Sequence, residues 1–307
     1  MPSALLTPSS VHINKPLTNL ARGYTPPLNV AERVFPVVMV VKESDRYFRF
    51  NKEELQETGN DENLRANGAL ANEFTWDVTD TSYLAHEYAR RMLVTDRVVR
   101  NADVPIQPSQ TTTRKLKDLL MIAQERRVQA IAQSTAIFTN TNAASIKWDQ
   151  STAIIEQEVD EAKRQILLNA GVIANSMLLS FQAANAVKRW LKAQAQTTYS
   201  EWLSKNMLPP VLWGLETIVA EAVRNTANSN QTESLGFIWN DNVLIFHKQP
   251  SATITDQSAG YILRARDWQV KTYREEAREG NWHECSVIED EVTVDPNSGY
   301  IVSDVIT

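Results

Sequence analysis

The feature that most constrains the fold is a stretch from about Gln110 to Thr139 that contains no Gly or Pro. Apolar residues recur along it with the 3.6-residue period of one helix face, at Leu116, Leu119, Leu120, Ala123, Ala130, Ile131, Ile137 and Phe138. The opposite face is polar and carries Lys115, Lys117, Gln124, Arg126, Gln133 and Thr135. Such a helix spans roughly 40 Å, which predicts a mechanical spine and not a catalytic element.

The bulk composition narrows the class of protein. The 307 residues are 43% hydrophobic, which is enough to bury one large core or two smaller ones. A net charge of −6 argues against a dedicated nucleic-acid binder, which normally has a basic face. The single cysteine, Cys285, excludes a disulfide framework and a cysteine zinc cluster. Without a bilayer-spanning apolar run or a secretory signal pattern, we expect a soluble cytoplasmic protein.

The first two segments are expected to be extended. Residues 1–36 hold half of the twelve prolines, which fix φ and favour extended neighbours, so we predict an N-terminal arm with little regular structure. Residues 37–82 predict an extended β-hairpin loop with a mobile tip. An apolar strand at Val37–Val41, a polar turn and a second strand are followed by a third, alternating strand at 74–78. Tyr83–Val99 fits a strand or a helix equally well.

The second half of the chain alternates helices and strands and then becomes rich in strands. The predicted elements of residues 150–250 are helices at 151–169 and 180–195, strands at 177–179 and 218–219, and a β-hairpin at 237–246. Ser151 is the expected N-cap of the first helix, and Gly171 its stop. Together these elements predict a compact α/β layer. In the tail, a turn at Asp295–Gly299 precedes the last strand.

No motif in the sequence points to catalysis. The patterns G-x-S-x-G, G-x-x-x-x-G-K-[ST] and G-x-G-x-x-G do not occur. His283 and Cys285 would share a face of a strand, but an edge-strand histidine beside a buried thiol is the preferred interpretation over a metal site. The basic residues around Arg126 and Arg127 are interpreted as pairing with acidic residues across subunits. We therefore expect no catalytic, cofactor-binding or metal-binding residues.

Several segments together resemble one known family. They are VAERVFPVVMVVKESDRYFRF (30–50), YLAHEYARRMLVTDRVVRNAD (83–103), LLMIAQERRVQAI in the long helix, LWGLETIVAEAVRNTA (212–227), FIWNDNVLIFHKQP (237–250), and VKTYREEAREGNWHECSVIEDEV with GYIVSDVI near the end. In this order they resemble the major capsid proteins of tailed bacteriophages over nearly the whole chain. The segment Ile173–Lys188 departs from the family, because it lacks the expected Pro-Asn and Trp pattern.

The resemblance implies an α+β chain with the Hong Kong 97-type capsid fold. Its expected parts are an N-terminal arm (1–36), an extended loop (37–82), a peripheral domain (83–149) with the spine helix at 110–139, an axial domain (150–250) and closing peripheral strands (251–307). The resemblance also implies a structural protein that is not an enzyme. Hexamers and pentamers of it would form an icosahedral shell around double-stranded DNA, in a virion assembled in the host cytoplasm.

The implied partners are further copies of the chain, a portal protein, a separate scaffolding protein, a decoration protein, and DNA held without sequence-specific contacts. No membrane and no cofactor are implied. Contacts between subunits are expected at residues of the arm, the loop tip and one tryptophan of the axial region, namely Leu5, Leu6, Leu17, Leu20, Asn60, Leu64, Arg65, Leu70 and Trp213. Deletion of residues 1–30 or of the tip around Asn60–Ala69 is expected to leave a soluble subunit that assembles badly.

Two other functions remain open at this point. An encapsulin-like compartment shares the fold but encloses an enzyme, and the proline-rich start argues mildly against it. A soluble α/β enzyme predicts a monomer or small oligomer with a ligand pocket. Particle size separates the enzyme from both shells, since only a shell forms megadalton particles.

Overall fold

The computed structural model describes residues 12–26, 28–49, 64–71, 79–102, 107–194, 199–228, 231–252 and 257–307. Within them the helices are α1 (Lys15–Gly23), α2 (Ala31–Val34), α3 (Asp96–Arg100), α4 (Pro108–Ala132), α5 (Ile155–Ala170), α6 (Phe181–Ala193) and α7 (Ser200–Ser204). The strands are β1 (His12–Ile13), β2 (Val37–Met39), β3 (Ser44–Arg49), β4 (Thr79–Leu84), β5 (His86–Thr95), β6 (Thr141–Ala143), β7 (Ser176–Ser180), β8 (Val211–Leu212), β9 (Leu215–Ala220), β10 (Val223–Asn225), β11 (Leu235–Phe237), β12 (Val243–Phe246), β13 (Gly260–Glu275), β14 (Gly280–Thr293) and β15 (Gly299–Ser303). This is the predicted α+β class.

A long antiparallel hairpin, β13–β14, is the centre of the first sheet. It pairs from Gly260 opposite Thr293 to Glu275 opposite Gly280. β5 pairs with the outer side of β14, while antiparallel β1 and parallel β2 pair with β13. Residues 83–99, which fitted a strand or a helix equally well, contain the end of β4, all of β5 and most of α3.

The long helix α4 lies on this sheet and packs against β14 and β5. Its Leu116, Leu120 and Met121 form a buried cluster with Trp268 and Val270 of β13. The predicted long helix is therefore confirmed. Burial of these apolar side chains is the main stabilising contribution, since each fully buried large apolar side chain contributes about 1.5 to 3 kcal/mol.

The two faces of α4 differ from the prediction. Lys117 is only 2% exposed and Gln124 is fully buried, although both were assigned to the polar face. Leu119, assigned to the apolar face, is 48% exposed. The assignment was wrong because periodicity counts polar residues as outward-facing and cannot see acceptors that other elements supply.

The helix also ends at Ala132, earlier than the predicted end at Thr139. The carbonyl of Ser134 accepts turn hydrogen bonds from Ile137 and Phe138, at 3.1 and 3.0 Å. The Phe138 side chain is fully buried in the core of the other sheet. A Cβ added at Gly299 would lie 2.4 Å from this ring, so the ring packs directly on the backbone of β15. Burial of Phe138 turns the chain away from the helix axis.

The second sheet has the strand order β6-β15-β12-β7-β9-β8. Helices α5 and α6 cover it, with Val159, Ile166, Val187 and Leu191 packed against Met177 of β7. The predicted hairpin at 237–246 is wrong, because β11 pairs with β10 whereas β12 pairs with β7 and β15. The last strand, β15, lies in this second sheet and not with β13 and β14.

The remaining predictions for this region are largely confirmed. Strands β7 and β9 and helix α6 lie where the sequence placed them. Gly171 ends α5 in the left-handed conformation, with φ 73°, which glycine adopts without a Cβ clash. Ser151 is not the N-cap, however, because α5 begins at Ile155 and its capping residue, Ile154, makes no side-chain cap hydrogen bond. The turn before the last strand contains a short 3₁₀-helix, Pro296–Ser298.

The N-terminal segment is more structured than predicted. Lys15–Gly23 is helical, and Asn14 caps it by accepting a hydrogen bond from the Leu17 N–H at 3.1 Å. Pro16 lies in the first turn, where its missing N–H has no intrahelical partner to lose and its fixed φ suits a helix. The expectation of an extended arm was therefore wrong for this segment. Proline is excluded from the interior of a helix but is favoured in its first turn, where Pro16 lies.

Strands β3 and β4 form a separate two-stranded ribbon, with Ser44 opposite Leu84 and Arg49 opposite Thr79. This confirms a two-stranded projection, although its returning strand is at Thr79–Leu84. The strand predicted at 74–78 lies outside the described residues. The apolar run at Val37–Val41 begins with β2, which belongs to the first sheet and not to the ribbon.

Candidate assembly surfaces

The base of the β3–β4 ribbon is fixed to β14 of the first sheet by two hydrogen bonds, and a third closes the base of the ribbon itself. The Tyr47 hydroxyl donates to the Thr293 carbonyl at 3.2 Å, and the Tyr83 hydroxyl donates to the Lys42 carbonyl at 3.0 Å. The Leu84 N–H donates to the Asp290 carboxylate at 3.1 Å. Tyr83 also packs on a buried cluster of β13 and β14 residues. The ribbon is thus a projection with an anchored base.

The described residues between the two ribbon strands are strongly exposed. Leu64 is 79% exposed and Leu70 is 93% exposed. Arg65 is also exposed, and its Nε donates to the Ala69 carbonyl at 2.6 Å. Both apolar side chains are therefore accessible to a partner in the isolated subunit.

The other predicted contact residues lie in different environments. Leu17 is 6% exposed and lies inside the subunit, in the cluster formed by α4 and β13, and Leu20 packs partly against it. Trp213 is half-buried, and its ring packs edge-on against the Trp190 ring, with 6.0 Å between the ring centroids. Leu5, Leu6 and Asn60 lie outside the described residues. Contacts of these residues between subunits stay a prediction.

The N-terminal segment is held on α4 by a buried lysine. The Lys117 ammonium donates to the Ala21 carbonyl at 2.5 Å and to the Tyr24 carbonyl, at the C-terminal end of α1. It also lies over the Trp268 ring, 5.1 Å from the centroid. Burial lowers the pKa of Lys117. A cation at this end of a helix is favoured, because the last carbonyls carry partial negative charge.

A buried carboxylate holds the next helix. Glu125 is fully buried and accepts from the Ala31 N–H at 2.9 Å and from the Val30 N–H at 3.1 Å, at the start of α2. The Trp239 indole N–H donates to it at 2.7 Å. Burial raises the pKa of Glu125 to about 7, and the three N–H donors oppose the increase. Together Lys117 and Glu125 form what we call the α4 clamp.

A second buried charge cluster joins α4 to β13 and β14. The fully buried Glu289 accepts from Arg264 at 2.9 Å, from Arg127 at 2.8 Å and from Gln124 at 3.0 Å. Arg127 also pairs with Glu291 at 2.8 Å. The interpretation that Arg127 pairs across subunits is therefore wrong, because its acidic partners lie in its own chain. Burial raises the pKa of Glu289, and the nearby Arg264 and Arg127 counteract it.

The candidate metal pair is structural. Cys285 is fully buried, and burial raises the pKa of its thiol to about 12. His283 contacts the Thr272 hydroxyl at 3.3 Å. Strand β14 is an inner strand, so His283 is not on an edge strand. Among the described residues, no group of three or more His, Cys, Asp or Glu is placed to hold a metal ion, and no helix is long and apolar enough to cross a membrane.

Sequence reasoning missed the α4 clamp. Lys117 and Glu125 are eight positions apart, close to two full helical turns, so they share a face. That spacing was available in the sequence. The helices α1 and α2, whose ends the two charges cap, could not be predicted in the same way. The prolines of the N-terminal segment favour an extended chain there.

The solved structures that are similar to nearly the whole chain include capsid proteins, a virus-like particle and a phage-related protein. A phage-related protein from Bordetella bronchiseptica RB50 matches with a TM-score of 0.73 and 20% identity, over 96% of this chain and 98% of the other. The capsid of a native GTA particle matches with a TM-score of 0.60 and 14% identity, over 92% and 91% of the two chains.

The chain has the Hong Kong 97-type capsid fold.

A virus-like particle from Pyrococcus furiosus matches as well, with a TM-score of 0.56 and 12% identity over 94% of this chain and 96% of the other. No protein-family model and no curated protein matches the chain. The Hong Kong 97-type fold is therefore recognised here through backbone geometry. The long helix α4 of this chain carries both buried charge clusters.

Proposed function

We infer that the chain is the major capsid protein of a tailed bacteriophage and that it acts as a structural protein. The observation that carries this inference is the agreement of more than nine-tenths of the chain with capsid subunits. Capsid subunits would gather into hexamers and pentamers of an icosahedral shell that encloses double-stranded DNA. The shell would form in the host cytoplasm and become part of the virion.

We propose a role for each segment of the chain. Residues 1–36 act as an arm, 37–82 as the extended loop, 83–149 and 251–307 as the peripheral domain, and 150–250 as the axial domain. In this scheme two strands cross the segment boundaries. β6, from residues 83–149, and β15, from residues 251–307, both lie in the sheet formed by residues 150–250. The exposed Leu64 and Leu70 of the loop would be covered by a neighbouring subunit.

Shell assembly in this proposal comes from many modest interfaces that close with symmetry. The proposed partners are a portal protein, a separate scaffolding protein and a decoration protein. DNA would be enclosed without sequence-specific contacts. The similarity to the Pyrococcus furiosus virus-like particle keeps a cargo compartment as the second candidate, since the fold alone does not distinguish the contents of a shell.

The test is expression of the full chain with and without neighbouring phage genes, followed by gel filtration and negative-stain electron microscopy. Megadalton shells or rings of five and six subunits are the expected result. A monomer or small oligomer under all conditions would contradict shell formation. Shells that contain one co-purified enzyme in place of DNA or scaffold would contradict the capsid and support the cargo compartment.

A further inference from the structure

The outward face of α6 borders a polar groove of about 490 Å³. The residues that line it are Gln182, Asn185, Lys188, Arg189, Lys192, Asn206 and Ile306. The inward face of the same helix is apolar, with Ala183, Val187 and Leu191 buried against the second sheet. The polar residues thus recur on the side of the helix that the fold leaves uncovered.

The groove is positively charged in a chain whose net charge is −6. Lys188, Arg189 and Lys192 supply three cations, and no carboxylate is among the residues that line it. The two basic side chains of the other covering helix, α5, do have acidic partners: Lys163 pairs with Asp160, and Arg164 pairs with Glu161. Within the part of the chain that the structure describes, none of the three groove cations forms an ion pair.

Two of the cations are held close together by one acceptor residue. The Lys192 ammonium donates to the Asn206 side-chain oxygen at 3.1 Å, and the Lys188 ammonium to the Asn206 carbonyl at 3.5 Å. Asn206 has a positive φ of 58°, a conformation that asparagine adopts more readily than most residues. Two ammonium groups around one neutral residue repel each other, and an anion placed between them would remove that repulsion.

The chemistry of the groove selects its ligand. Ammonium and guanidinium groups with side-chain amides are the donors that phosphate oxygens prefer. No aromatic side chain lines the groove, so it offers no surface for stacking nucleotide bases. Contacts of this kind neutralise a phosphate backbone and do not read sequence.

We propose that this groove, built on α6 and Asn206, binds phosphate oxygens of the enclosed DNA backbone. The choice of DNA as the source rests on the proposed function, while the affinity for phosphate oxygens rests on the groove alone. Each subunit would then contribute a small number of sequence-independent contacts. Summed over a shell, these contacts would hold the outer layer of DNA beside the protein.

The test compares two double variants of the full-length, unassembled subunit. Arg189→Gln/Lys192→Gln removes two groove cations, and Lys115→Gln/Arg126→Gln removes two exposed cations of α4 that form no ion pair within the described residues. Both change the net charge equally. Binding of a short fluorescent DNA duplex of arbitrary sequence is measured by anisotropy at several salt concentrations, and thermal melting checks that each variant folds.

For the groove variant we expect about tenfold weaker duplex binding at low salt and a salt slope smaller by about two, as for the loss of two phosphate contacts. The control variant should retain the wild-type slope. Equal losses in both variants would overturn the proposal, since net charge alone would then explain binding. Inorganic phosphate is titrated in parallel, and groove-dependent phosphate binding without duplex binding would overturn DNA as the source. Electron microscopy of the same variants tests shell formation separately, so the two proposals fail independently.

Discussion

Lys117 and Glu125 lie on the same buried face of α4, and each caps one end of a different short helix. The ammonium contacts the last carbonyls of α1, and the carboxylate contacts the first N–H groups of α2. Each charge therefore meets the helix end of opposite partial charge. This arrangement fixes α1 and α2 on α4 without an ion pair between the two side chains, and it makes the two attachments separately testable.

Replacement of Lys117 by Met should loosen α1. The variant leaves the Ala21 and Tyr24 carbonyls without their buried donor, and we expect a loss of about 2 kcal/mol in the free energy of unfolding. Hydrogen exchange should increase in residues 17–24 and not in β13. The matched control is Lys115→Met, two positions earlier and exposed, which should change stability by less than about 0.5 kcal/mol. Equal effects of both variants would contradict the clamp.

Glu125 should make stability depend on pH. Because burial raises its pKa from 4.5 to about 7, the folded chain keeps a proton that the unfolded chain has already released between these pH values. The contribution of this carboxyl to stability is therefore fully present at low pH and is lost as the pH rises through about 7. Between pH 5 and pH 8 we expect a loss of about 2 to 3 kcal/mol.

Urea unfolding of the wild type and of Glu125→Gln at both pH values measures this loss. The glutamine variant cannot ionise, whereas all other titrating groups are common to the two proteins. The wild type should therefore lose stability relative to the variant as the pH rises. A difference between the two proteins that stays constant from pH 5 to pH 8 is the result that excludes this titration.

Glu289→Gln should be one of the most destabilising single substitutions in the chain. Its carboxylate is fully buried and is shared by Arg264 and Arg127, so the variant removes one buried negative charge from both cations. Arg264 then keeps only Glu32 and Asp267, and Arg127 only Glu291. We expect a loss of about 3 kcal/mol in chemical denaturation. Glu87→Gln is the control, because Glu87 pairs with Arg266 at the surface and its loss should cost less than about 1 kcal/mol.

Gly299→Ala should destabilise the subunit through overpacking. The new Cβ would lie 2.4 Å from the Phe138 ring, which is fully buried and cannot move freely. A loss of about 1 to 3 kcal/mol in thermal unfolding is expected. Gly23→Ala, at the end of α1, meets no atom within 4 Å and should be neutral or slightly stabilising. A neutral Gly299→Ala would show that the Phe138 ring has room to shift.

Leu64→Asp/Leu70→Asp should separate assembly from folding. Both side chains are strongly exposed in the subunit, so the melting temperature of the unassembled chain should change by less than about 2 °C. In a shell the new charges would be buried at a contact, and particle yield in electron microscopy should fall at least tenfold. Unchanged shells would remove these residues from the contact surface.

The structure changes the result expected for the deletion of residues 1–30. Removal of residues 1–30 was expected to leave a soluble subunit, but Leu17 and Ala21 are buried against α4 and Lys117 depends on this segment. Such a deletion would expose a core and destabilise the chain. Point variants in the loop are therefore the better test of assembly.

The sequence predicts what depends on local pattern. The long helix, strands β7 and β9, the helix α6 and the stop at Gly171 all follow from periodicity or from backbone preference, and the structure has them. The predicted hairpin at 237–246 failed, because a turn signal between two apolar runs does not reveal that each run has a better partner elsewhere. The predicted exposure of Lys117 and Gln124 was wrong for a related reason. Their hydrogen-bond acceptors come from segments that are distant in the sequence.

The exposure of the candidate contact residues was predictable only in part. The exposed tip residues Leu64 and Leu70 follow from a polar, proline-free loop that is too long for a compact domain. Leu17 looks the same in sequence, yet it is buried, because Asn14 and Pro16 start a helix that turns it inward. The groove on α6 escaped notice because its cations converge with Asn206 only in three dimensions.

The strand order of the two sheets has a consequence for folding kinetics. The first sheet needs residues from 12–95 and from 260–293, and the second needs residues from 141–246 and from 299–303. Each sheet is therefore closed by a segment that lies beyond part of the other along the chain. Such non-local pairing slows folding, because distant segments must meet before either sheet is complete. Chains with only one finished sheet should therefore accumulate during refolding and expose unpaired strand edges until the last segment arrives.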